Sequence, residues 1–179
     1  MRDLSQYDNL RPLIKTGDLV EFASNGLIGK GIMAVTGKNV SHSSIVIRLP
    51  YEGSPRRYII EAVADGLSFH LLSDVLQKYD GRVIWYGLRP EYDCKRDGIG
   101  EWLFNELSQG KSYDFSGVIA QLFGRVSMDG RRWFCSEIVD SAYINAGILN
   151  PDPAGARRPG EFVPLGIFSS QAHLWGEQG

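Results

Sequence analysis

Hydrophobic and polar positions alternate with a period of two through the first half of the chain. The spacing turns helical in the second half. After the turn Thr16-Gly17-Asp18, Leu19 to Phe22 reads as a short strand. The glycine-rich stretch Asn25 to Gly31 reads as a flexible loop leading into a short helix over Ile32 to Val35, which Gly37 ends. Ser41 to Leu49 is the next strand, with Ile45, Ile47 and Leu49 on one face and His42, Ser44 and Val46 on the other. Pro50 to Pro55 forms a turn, and Arg57 to Val63 returns as a strand with Glu61 set inside an apolar run. Asp65-Gly66 signals a tight turn into a hairpin strand over Leu67 to Leu72. Ser73 is placed to cap a short helix running to Lys78, and Arg82 to Leu88 is a further strand.

Helical spacing then takes over. Ile99, Trp102, Leu103, Phe104 and Leu107 recur as one helix face, and Gly110 closes it. A loop at Tyr113 to Gly117 leads into Val118 to Phe123. Cys135, Val139, Ala142 and Ala146 share a stripe on a helix that Gly147 stops. Residues 151 to 164 are rich in Pro and Gly and read as irregular. The pattern predicts short strands followed by helices, and 179 residues suit one domain over 1–179.

Composition narrows the function. The chain has 179 residues, is 43% hydrophobic and 22% charged, and carries a net charge of -2. No basic stripe dominates, which argues against a nucleic-acid partner. The first twenty residues lack the apolar core of a signal peptide, and no apolar run is long enough to span a bilayer. The expectation is a cytoplasmic protein, cellular or made by a virus inside its host, without an integral membrane segment. Two cysteines make neither a disulfide framework nor a zinc spacing, so no metal or other cofactor is expected. A single Cys94–Cys135 bridge is the one pairing open to them. The glycine-rich loop fits neither the dinucleotide nor the Walker pattern.

The chemistry gathers at Cys135. It follows Trp133-Phe134 and opens a helix, where unpaired amides and the positive end of the helix dipole favour a thiolate. The same stripe also suits a cysteine that merely packs. A thiol hydrolase needs a base and a group to orient that base. Among three histidines, His42 is the candidate base. Glu61 is the candidate orienter, because a carboxylate embedded in an apolar strand needs a donor, and the imidazole of a paired strand supplies one.

The order TGDLVEF, SHSSIVI, YIIEAV and WFCSEIV resembles the permuted NlpC/P60 superfamily, in its YiiX/YebB-like branch of papain-like hydrolases and amidases. The resemblance covers about residues 13 to 165. It implies a papain-like α+β fold with the cysteine helix packed on a small antiparallel sheet. It also implies Cys135 as nucleophile, His42 as base, Glu61 as orienter and the Cys135 amide in the oxyanion hole. Tyr113-Asp114-Phe115 matches the segment that precedes the cysteine helix in that branch, so Tyr113 would lie near the site, as a substrate contact or a packing residue. The implied reaction is hydrolysis of an amide or ester through a thioester acyl-enzyme. The substrate would be a small peptide, a cell-wall fragment or an acyl lipid. Lecithin:retinol acyltransferase-like members of the superfamily often hold a second histidine where this chain has Glu61, which favours hydrolysis over acyl transfer to lipids. A non-catalytic binding module that keeps the papain-like cleft is the reading from a different class.

Overall fold

The computed structural model describes residues 2–63, 66–109 and 135–176. Six strands form one antiparallel sheet: β1 (Leu19–Ser24), β2 (His42–Leu49), β3 (Arg56–Val63), β4 (Gly66–Leu71), β5 (Gly81–Leu88) and β6 (Phe168–Trp175), in the order β4-β3-β2-β1-β5-β6. Among the described residues five α-helices accompany it: α1 (Ser5–Leu10), α2 (Leu27–Thr36), α3 (Leu72–Lys78), α4 (Arg96–Ser108) and α5 (Cys135–Asn145).

Both faces of the sheet are covered, and this explains why its strands read as apolar runs broken by few polar residues. On one face Leu19, Ala23, Ile45, Ile47, Ile60, Ile84 and Tyr86 pack against Ile99 and Leu103 of α4 and Ile138, Val139, Ala142 and Tyr143 of α5. On the other, Val20, Phe22, Val46, Ile59, Val83 and Trp85 pack against Tyr7 of α1 and Leu72 and Leu76 of α3. The expected hairpin of β2 and β3 forms, with rungs from Leu49↔Arg56 to Ile45↔Ile60.

Several expectations need correction. The glycine-rich stretch is not a loop up to Gly31, because α2 begins at Leu27. Gly29 lets it, since a Cβ there would stand 2.4 Å from the Ser24 Cβ, so the helix lies tight on the end of β1. Ser73 does not cap α3. The helix starts at Leu72, directly after β4, with no side-chain cap, and the burial of Leu72 and Leu76 fixes it instead. The tail holds a strand, β6, paired to the edge of β5. Cys94 and Cys135 are both free thiols: Cys94 lies exposed in the turn before α4, while Cys135 faces the sheet. Gly110, Tyr113 and Val118 to Phe123 lie outside the described residues.

The Thr16-Gly17-Asp18 turn is the knot that fixes the layers. Asp18 is buried, and its carboxylate accepts bonds from the Lys15 amide (2.9 Å), the Leu88 amide (3.1 Å), Trp85 Nε1 (2.9 Å) and Arg96 Nη1 (2.7 Å). Burial pushes this carboxyl up, while Arg96 and the other donors pull it down, and the burial effect is the larger. Gly17 adopts φ 85°, and a Cβ there would meet Ile99 Cδ1 at 2.9 Å. Tyr143 Oη donates to the Gly17 carbonyl at 2.9 Å, which ties α5 to the same turn. Asp18→Ala removes the acceptor of the buried Trp85 N–H and of the Lys15 and Leu88 amides, and it takes from Arg96 one of its two carboxylates, leaving Asp93. We expect it to cost about 3–5 kcal/mol in urea denaturation. A loss under about 1 kcal/mol, the scale of an ordinary surface change, would contradict this role for the turn.

Candidate active site

Strand register brings the candidate residues together. Val46 bonds toward β1, donating to the Asp18 carbonyl and accepting from the Gly17 amide. The odd-numbered amides of β2 therefore point toward β3. Past the Ile45↔Ile60 rung the two strands part: β2 continues with β1 to His42↔Phe22, and β3 continues with β4 from Glu61↔Ser68 to Val63↔Gly66. The Ser43 amide thus faces a place where a rung of β3 would be. The Cys135 sulfur takes that amide, together with the Ser136 amide at the start of α5.

His42 and Glu61 reach the same gap from the other face. By strand alternation His42 shares its face with Val46, and Glu61 shares its face with Ile59, opposite the face that α5 covers. His42 Nε2 meets Glu61 Oε2 at 2.6 Å, with the side chains 24% and 13% exposed. With Nε2 so engaged, Nδ1 is the ring nitrogen left for the thiol, and a hydrogen bond links His42 to Cys135. The imidazole rests on the buried Phe22 ring at 5.4 Å, and Phe22 is held edge-on by Tyr79 at 5.0 Å. Cys135 as a residue is partly exposed, unlike the core residues that follow it on α5.

The electrostatics are reciprocal. Burial opposes the charged form of each group. For Cys135, the His42 charge and hydrogen bond and the two amides outweigh burial and hold the thiol below its usual range. For His42, burial is outweighed by the Cys135 sulfur and then by Glu61, which together push it up to about 10. Glu61 is likewise raised by burial but brought lower overall by His42 and, less, by His70. Each group thus favours the charged form of its neighbour, thiol toward thiolate and imidazole toward imidazolium.

The sequence reasoning singled out all three of these residues. It did not find the Ser43 amide, the Phe22 platform or His70, whose Nε2 stands 4.0 Å from Glu61 Oε1. Ser41, the residue before His42, bonds to β1, accepting from the Ser24 amide and donating to the Phe22 carbonyl, each at 3.2 Å. Phe22 lies on β1, and only its register opposite His42 makes it the partner of that ring. Glu21, on β1, is 1% exposed and accepts the Gly160 amide at 2.8 Å; burial pushes it up to about 7. That bond, with Arg157 Nη1 on Asp140 at 2.6 Å, fastens the irregular segment before β6 to β1 and α5. Tyr113 is outside the described residues. Among the described residues, no three His, Cys, Asp or Glu side chains converge to hold a metal ion.

No family model matches the chain, and no curated protein matches it. Among solved structures it is similar to metalloprotein yiiX from Escherichia coli O157:H7 (DUF1105), with 24% sequence identity and a TM-score of 0.57 over 74% of this chain and 66% of that one. The chain thus matches just under two thirds of that protein's length. The likeness is one of fold, a mixed α+β architecture.

Proposed function

We propose that the protein is a papain-like cysteine hydrolase that cleaves an amide or ester bond through a thioester. The single observation that carries this reading is the chain of contacts from Cys135 through His42 to Glu61, made by residues from three separate elements. A cysteine that merely packs has no need of a charged imidazole and two amides on its sulfur. YiiX is a metalloprotein; among the described residues of this chain no three His, Cys, Asp or Glu side chains form a matching cluster.

The thiolate attacks the carbonyl carbon and forms the C–S bond while the carbonyl oxygen takes the negative charge. The amides of the first turn of α5, that of Cys135 among them, are the donors suited to this oxyanion. Collapse expels the amine or alcohol, which takes its proton from the His42 imidazolium. Water then enters. Neutral His42 removes its proton as the C–O bond forms, and the thiolate leaves the acid product. Glu61 fixes the imidazole ring and stabilises its charge throughout.

A second reading, acyl transfer, shares the first half of this path and differs only in the acceptor. Glu61 beside His42 favours hydrolysis, following the superfamily pattern. The substrate classes compatible with the reading are a small peptide, a cell-wall fragment or an acyl lipid.

Iodoacetamide labelling tests the nucleophile. An ordinary thiol is only a few per cent thiolate at neutral pH, so Cys135 is expected to react about tenfold faster than Cys94 at pH 7, and His42→Ala removes the advantage. Equal rates for the two cysteines would refute the ion pair. In hydrolysis, the rate rises as the thiolate forms below the usual thiol range. It falls as the pH climbs through about 10, where His42 gives up its proton.

Glu61→Gln keeps the shape and removes the charge. It is expected to lower kcat at least about tenfold and to bring the alkaline limb down in pH, with little change in the melting temperature. Full activity in this variant would take the orienting role from Glu61.

A further inference from the structure

Helix α2 reverses the usual polarity of a surface helix. Gly29 lies inward against Ser24 and Ser41, and Met33 packs toward the core. The outward arc carries Leu27, Ile28, Gly31, Ala34 and Val35, all exposed, with Leu27 at 90%, Ile28 at 59% and Val35 at 57%. An apolar arc turned to solvent is not explained by the packing of the described residues.

Charge selects the occupant. From Phe22 through Tyr51 the chain has no Asp or Glu, and exposed Lys30 borders the arc, with Lys38 just beyond its end. Asp80 reaches the foot of the helix, where it holds Asn25 Nδ2 at 3.2 Å. A second copy packed on the same arc would set like charge against like. An anionic surface is complementary to it. Ten residues make a helix about 15 Å long, suited to lying in a bilayer surface and too short to cross one.

We infer that α2 is an interfacial helix that docks the protein on an anionic lipid bilayer, with Leu27, Ile28 and Val35 among the acyl chains and Lys30 at the phosphates. Docking does not rest on the thiol chemistry. Because Gly29 abuts Ser41, the residue before His42, docking sets the candidate site beside the membrane surface.

Cosedimentation of the full chain with vesicles of phosphatidylcholine, alone or mixed with phosphatidylglycerol, tests this. The expected result is binding to the mixed vesicles that weakens as salt is raised. Leu27→Glu and Val35→Glu should each lower partitioning at least about tenfold, the scale of burying one such side chain. Lys30→Glu should abolish the preference for phosphatidylglycerol. Leu27 is so exposed that its replacement loses no packing, and an unchanged circular dichroism spectrum checks this. No cosedimentation with either vesicle, or undiminished binding by Leu27→Glu, would overturn the inference. So would a dimer in analytical ultracentrifugation that Leu27→Glu dissociates, since the arc would then belong to a second copy.

Discussion

Beyond the Ile45↔Ile60 pair, β2 and β3 no longer bond to each other, and the candidate site is built in the space this leaves. An amide at a strand edge must find an acceptor or water. The Ser43 amide finds the Cys135 sulfur, so a group from the helix layer occupies a position that belongs to the sheet. This constraint explains how two side chains on one face and a thiol from the other meet without crossing a sealed ladder. The Ser136 amide, at the start of α5, reaches the same sulfur.

The remaining architecture holds that gap at a fixed width. The Asp18 carboxylate ties β1 to β5 and, through Arg96, to the start of α4, while Tyr143 anchors α5 to the adjoining Gly17. Phe22 and Tyr79 stack beneath the imidazole, so His42 has an apolar floor as well as a carboxylate. A low dielectric alone would discharge all three groups. Here each charge is faced by its opposite or by an amide, and mutual stabilisation outweighs the burial of Cys135 and His42.

Much of this was legible in the sequence because it is local. Period-two alternation marked β2 and β3, the Pro50 to Pro55 turn made them a hairpin, and the odd placement of Glu61 in RYIIEAV marked it as a residue needing a donor. What was not legible depends on contacts far apart in the chain. Two glycines and no cap gave α2 a weak local helix signal, and its true start at Leu27 rests on Gly29 nesting against Ser24 and Ser41. The stretch Phe168 to Trp175 has a polar middle and becomes β6 only through pairing with β5. The end of the β2–β3 ladder has no sequence signature, and with it the role of the Ser43 amide stayed hidden.

The account turns on the charge state of one sulfur. Ultraviolet absorbance of the thiolate, followed against pH in a Cys94→Ala background, measures it without any substrate. The account predicts a thiolate signal already present at neutral pH, lost only on acidification, and shifted back toward the usual thiol range in His42→Ala. A signal that appears only in the ordinary alkaline thiol range, and that His42→Ala leaves unchanged, would contradict it.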